Sequence, residues 1–121
     1  MSDIQFRFQG MKIWKRAVHL SQSLFDFLDT LEQKKLYRFS EQLRGATLSI
    51  TNNIAEGSGS DSDAEFAHFL NIARRSLYEV ANILMLLSKQ GYIKGKDIET
   101  ILQELEQQSK MLMAFRRSLK L

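Results

Sequence analysis

Apolar residues recur along this chain at alternating steps of three and four. From about residue 11 to 31 they are Trp14, Ala17, Leu24, Leu28 and Leu31, with Ser21 filling the gap. Side chains at that spacing share one face of a 3.6-residue helix, so the run predicts an amphipathic helix facing a core. The charged stretch Glu32-Gln33-Lys34-Lys35 interrupts it. A second stripe of Leu36, Phe39, Leu43, Ala46, Ile50 and Asn53, with Ile54 alongside, predicts a helix over about 36–56. Gly57-Ser58-Gly59-Ser60 is expected to end it, because glycine takes a left-handed cap at the lowest cost. Ser62-Asp63-Ala64-Glu65 then matches a capping box, in which the serine and glutamate side chains each satisfy an unpaired backbone N–H. The third stripe is the longest: Phe66, Leu70, Ala73, Leu77, Val80, Leu84 and Leu87, closed by Gly91. A fourth, over about 97–119, carries Ile98, Ile101, Leu105, Gln108, Leu112, Phe115 and Leu119, with Asp97 and Glu99 placed favourably in its first turn.

Three short breaks between four helices make neighbours antiparallel, so the expected fold is all-α: an up-down-up-down antiparallel four-helix bundle. It forms a single domain over 1–121, with residues 1–10 as a polar, irregular arm ending at Gly10. A second apolar row runs beside two of the stripes. The third helix adds Phe69, Ile72, Ile83 and Leu86, and the first adds Ile13, Leu20 and Phe27. Two readings stay open for these rows. They thicken the core, or they form an intersubunit face, as exposed apolar patches commonly do.

Composition sharpens this picture. The chain of 121 residues is the usual size of one domain and can bury a real core. It has no proline, which favours long uninterrupted helices over strands and turns. It has no cysteine, which excludes disulfides and thiolate metal sites. No apolar run approaches the roughly 18 residues of a membrane span, and the N-terminus does not read as a signal peptide. A cytoplasmic protein without membrane association is therefore expected. The net charge of +3 permits a nucleic-acid partner without demanding one.

Candidate chemistry is sparse. Glu65-Phe66-Ala67-His68 has the Glu-x-x-His spacing of di-iron bundles, but a di-metal site needs two copies and two further glutamates. The other histidine, His19, is preceded by Arg16, so no metal and no cofactor are expected, and His68 reads as part of the local helix structure. Gly57-Ser58-Gly59-Ser60 precedes a helix and could hold an anion, but it lacks the lysine and spacing of a phosphate-binding loop. No nucleophile elbow is present. No catalytic residue is assigned, and an enzyme is not expected. Asn53 sits at a core position, where an amide must find hydrogen-bond partners. It is read as a lock on backbone groups at the turn between helices two and three, with Glu56 bonding nearby N–H groups.

Basic residues acquire a pattern once the topology is assumed. The start of helix one and the end of helix four share one end of an antiparallel bundle. Lys12, Lys15 and Arg16 should therefore approach Arg116, Arg117 and Lys120, as candidates for nucleic-acid phosphates. Asp61, Asp63 and Glu65 lie at the same end and weaken the field. Arg44, Arg74 and Arg75 form a second candidate patch at mid-bundle.

Several segments together resemble a known family. They are Met11-Lys12-Ile13-Trp14-Lys15-Arg16-Ala17, Gln42-Leu43-Arg44, Ser49-Ile50, Asn53-Ile54-Ala55-Glu56-Gly57 and Phe66-Ala67-His68-Phe69-Leu70-Asn71-Ile72-Ala73, followed by Ser76-Leu77 and Glu79. In that order they resemble the bacterial 23S rRNA intervening-sequence proteins, also called S23-like proteins, over about residues 6–93. The resemblance implies a four-helix bundle that commonly assembles as a ring-shaped homopentamer. It differs from the family pattern at Arg75, where a glycine usually precedes the serine of helix three. Two functions follow as expectations: an oligomeric protein associated with RNA or a ribonucleoprotein, and a structural module that binds a partner protein.

Overall fold

A computed structural model describes residues 5–121. Residues 1–4 of the expected arm lie outside the described residues. A 3-10 turn, Arg7–Gly10, precedes four helices: α1 (Lys12–Gln33), α2 (Tyr37–Ser58), α3 (Asp63–Lys89) and α4 (Gly95–Ser118). Each helix packs on two neighbours, in the cyclic order α1, α2, α3, α4. Cross-helix hydrogen bonds set the directions. Ser40 Oγ, at the start of α2, donates to Glu32 Oε1, near the end of α1, at 3.1 Å. Arg74 of α3 donates to Ser109 of α4 at 3.0 Å, and Gln108 Nε2 of α4 donates to the Ile13 carbonyl of α1 at 2.9 Å. Along α1 and α4 the contacts run in opposite senses, Ile13 meeting Gln108 and Arg16 meeting Gln107, as alternating up and down helices require.

The stripes meet along the bundle axis. Leu24, Leu28, Leu43, Ile50, Leu70, Leu84, Leu105 and Leu112 are at most 1% exposed. Ile13 and Leu20 are buried and Phe27 is half-buried, so the second row of α1 belongs to the core. The second row of α3 divides. Ile83 is 5% exposed, which removes it from any intersubunit face. Phe69 and Ile72 are half-buried, and Leu86 is 42% exposed.

Helix ends follow local rules, with two departures from expectation. Ser62 Oγ accepts from the Glu65 N–H at 3.1 Å, the serine half of the capping box. Gly91 adopts φ +82 and closes α3 with a paired cap, Tyr92 N–H to Leu87 O and Gly91 N–H to Ser88 O. The same cap closes α1, with Leu36 N–H bonded to Leu31 O and Lys35 N–H to Glu32 O. There the left-handed residue is Lys35, at φ +62, where glycine would be unstrained.

The second departure concerns Gly57. The expected left-handed cap does not form: α2 continues through Gly57 to Ser58, and the capping Gly59 has φ −89. Gly57 is instead a packing residue. A Cβ there would stand 2.7 Å from Phe69 Cβ and 2.8 Å from Phe66 Cδ1. Its missing side chain lets the start of α3 press against the end of α2.

Two stability outcomes follow. Lys35→Gly should stabilise the protein by about 0.5–1 kcal/mol, read as a higher denaturant midpoint at unchanged slope. Gly57→Ala should destabilise it by about 1–3 kcal/mol through overpacking, despite alanine's better helix propensity. A midpoint equal to wild type would show that the seam can relax.

Candidate nucleic-acid interface

The first turns of α1 carry Lys12, Lys15, Arg16 and His19 at spacings that place them on one helix face. With Glu104 and Gln108 of α4 they line a groove of about 330 Å3 between α1 and α4. Lys12, Lys15 and His19 are exposed. Arg16 is half-buried, and its guanidinium donates to Gln107 Oε1 at 2.9 Å, which holds the cation over the groove. Below it, Gln108 is 1% exposed, and its amide ties α4 to the first turn of α1. The groove therefore has a rigid floor and a rim of three cations facing one carboxylate, Glu104.

The other three predicted cations lie toward the same end but not in this groove. Gln108 pairs with Ile13, and Arg116 lies eight residues further along α4, about 12 Å along the axis. Arg116 Nε donates to the Ala67 carbonyl of α3 at 3.3 Å, so it faces α3. Arg117 is exposed beyond it. At Lys120 the backbone N–H donates to Asp63 Oδ2 at 3.0 Å, which brings an acid among these cations. The expected cluster of six is therefore two groups of three, and the α1 group is the more concentrated. Sequence reasoning missed His19 as a groove residue, although its spacing of seven from Lys12 was available, and missed Glu104, which only the packing of α4 brings in.

The second expected patch does not form. Arg44 turns to Glu32 of α1 at 3.4 Å, whereas Arg74 turns to Ser109 of α4. Arg75 is exposed.

Asn53 departs from its expected role. It is half-buried, and Nδ2 donates to the Ser49 carbonyl at 2.8 Å and to Ser49 Oγ at 2.9 Å, both on its own helix. Ser49 Oγ in turn lies 2.7 Å from Ser76 Oγ of α3. The amide therefore locks the middle of the α2–α3 seam rather than the turn that follows α2. Glu56 is exposed, as is His68, whose ring lies edge-on to Phe69 with centroids 5.9 Å apart. Among the described residues no group of three or more His, Asp or Glu side chains could hold a metal, and no helix is long and apolar enough to cross a membrane.

Fold and site together define an antiparallel four-helix bundle with a basic groove between its first and last helices. Residues 9–114 match the family of 23S rRNA-intervening sequence proteins, and the chain belongs to that family. A similar fold is seen in the 1.70 Å crystal structure of a protein of unknown function from the S23 ribosomal protein family of Bacteroides thetaiotaomicron, with a TM-score of 0.83 at 24% identity. The similarity covers 88% of this chain and 99% of that one. No curated protein matches the sequence.

The seam makes a graded test. Asn53→Leu removes a donor from a half-buried site and should cost about 0.5–1.5 kcal/mol. Asn53→Asp should cost more, because it sets a carboxylate against the Ser49 carbonyl. Thermal melts of the two variants should rank in that order.

Proposed function

We propose that this protein is a non-enzymatic, self-associating bundle of the cytoplasm that holds RNA through the α1/α4 groove. The observation that carries the reading is the convergence of Lys12, Lys15 and Arg16 on one concave surface, with His19 beside them. A groove of this kind follows a phosphate backbone, whose binding releases condensed counterions and needs no base contact. Self-association supports it by repeating the groove. One subunit offers three cations, too few to hold RNA at moderate salt, and several copies offer an array. Five is the copy number that the family resemblance implies. Exposed Leu48, Tyr78, Met85 and Leu86 leave apolar surface for such contacts.

Affinity for a single-stranded RNA should fall with salt at a log–log slope of about −2 for each subunit groove engaged, taking three phosphates per groove. Lys12→Glu with Lys15→Glu should flatten that slope more than Arg116→Glu with Arg117→Glu, because the latter pair lies outside the groove. No binding by wild type at low salt would refute the RNA reading. Light scattering that gives a 14.0 kDa particle at micromolar concentration would refute self-association.

A further inference from the structure

Two surfaces of the subunit lack an explanation within the subunit itself. The first is a groove of about 530 Å3 between α3 and α4. Leu77, Ala81, Leu102 and Leu105 line it, and Tyr78 and Met85 stand at its lip, 57% and 47% exposed. A smaller hollow shares Met85, Glu99 and Leu102 and continues the groove to Ser88, Lys89 and Gly95. The α3 wall thus runs from Arg74 to Lys89, fifteen residues apart (74 to 89), or about 22 Å. Arg74 donates to Ser109 and Tyr78, and neither it nor Lys89 pairs with a carboxylate among the described residues.

The second surface is the outer face of α2. Glu41, Gly45, Leu48, Asn52 and Glu56 follow one another at steps of three and four, and all are exposed. Leu48 is 43% exposed at the centre of this ridge. Gly45 lies in the helix interior, where glycine weakens a helix relative to alanine, and a Cβ there would meet nothing within 4 Å. No contact among the described residues requires a glycine at that point. Glu41 and Glu56 pair with no cation among the described residues, and they too stand fifteen residues apart (41 to 56).

Ridge and α3 wall match in length and in charge; on the α4 wall Glu106 is paired with Lys110, and Glu99 is the one carboxylate that shares the hollow with Lys89. We propose that α2 of one copy lies along the α3/α4 groove of the next. Leu48 then enters between Tyr78 and Met85, and Gly45 lets the helix approach closely. Glu41 and Glu56 meet the cations at the two ends of the α3 wall, Arg74 and Lys89. Leu48 is midway between the two acids, so the match holds for either direction of the inserted helix. The contact joins different faces of identical chains, so every copy uses both, and repetition closes a ring where the rotation permits. This assignment rests on the self-association proposed above and names the surfaces that carry it.

The absence of cysteine permits a clean test. Leu48→Cys and Met85→Cys chains, distinguished by a tag and co-expressed, are oxidised and separated without reductant. The expected product is the mixed disulfide dimer, in large excess over either self-linked dimer. Gly45→Leu should lower the oligomer mass in light scattering while leaving the helical circular-dichroism signal intact. An assembled oligomer that yields no mixed disulfide, or that links Leu48→Cys chains mainly to each other, overturns this pairing and leaves self-association standing. A wild-type monomer overturns both. An unchanged oligomer in the Gly45→Leu variant also overturns the pairing.

Discussion

Three of the four helices and the N-terminal turn meet at the ring of Phe66. It is 1% exposed, so its burial contributes on the order of 1.5–3 kcal/mol. On one side it fills the space left by Gly57, which has no side chain to keep α2 away. On another it meets Phe115 of α4 at 5.5 Å between centroids. The Arg7 guanidinium stands 5.0 Å over the same ring, and the Arg7 side chain also donates to the Ser58 carbonyl at 3.3 Å, so the N-terminal turn is bound over the end of α2. The close approach at Gly57 makes this convergence possible. It seats the start of α3 against α2, and α4 then packs on the opposite side of the ring.

The placement of charge follows from that packing. Once Phe115 is drawn to Phe66, the next residue, Arg116, falls against the Ala67 carbonyl, and the chain beyond α4 returns to Asp63. The Arg116 guanidinium and the backbone at Lys120 are committed to the α3 side. Lys12, Lys15 and Arg16 remain beside the other flank of α4, where Gln107 and Gln108 meet them. Two polar groups in the core stay local, Ser21 and Thr47, which bond back to carbonyls of their own helices at 2.7 Å, whereas Ser40 and Ser109 bond to Glu32 and Arg74 of neighbouring helices. Gln108 and the Ser49–Ser76 pair also cross between helices. A buried or half-buried cross-helix bond is satisfied in one register only, and it is this register that shapes the basic groove.

The segment that most resembles the family, Asn53-Ile54-Ala55-Glu56-Gly57, is accounted for largely by architecture. Asn53 serves the α2–α3 seam, Ile54 is fully buried, and Gly57 admits Phe66 and Phe69. Glu56 alone points its charge to solvent. Family membership therefore speaks first to how the bundle is packed.

The sequence by itself determined the four helices, their stripes, the caps at Ser62 and Gly91 and the antiparallel order. These depend on the 3.6-residue period and on local backbone chemistry, which a linear pattern records directly. It also carried the cations of the α1/α4 groove, because Lys12, Lys15 and Arg16 share one turn of one helix. Tertiary structure decided what depends on distance between helices. A glycine in a Gly-Ser-Gly-Ser run reads as a cap, and only the position of Phe69 shows that it is a contact. Ile83 and Leu86 read as one row, yet they fall on opposite sides of the boundary between core and solvent. The six cations read as one cluster, and the register between Gln108 and Ile13 divides them. Contacts between residues fifty or ninety positions apart leave no period in the chain, so the exposure of a side chain and the company of a charge were settled only when the helices packed.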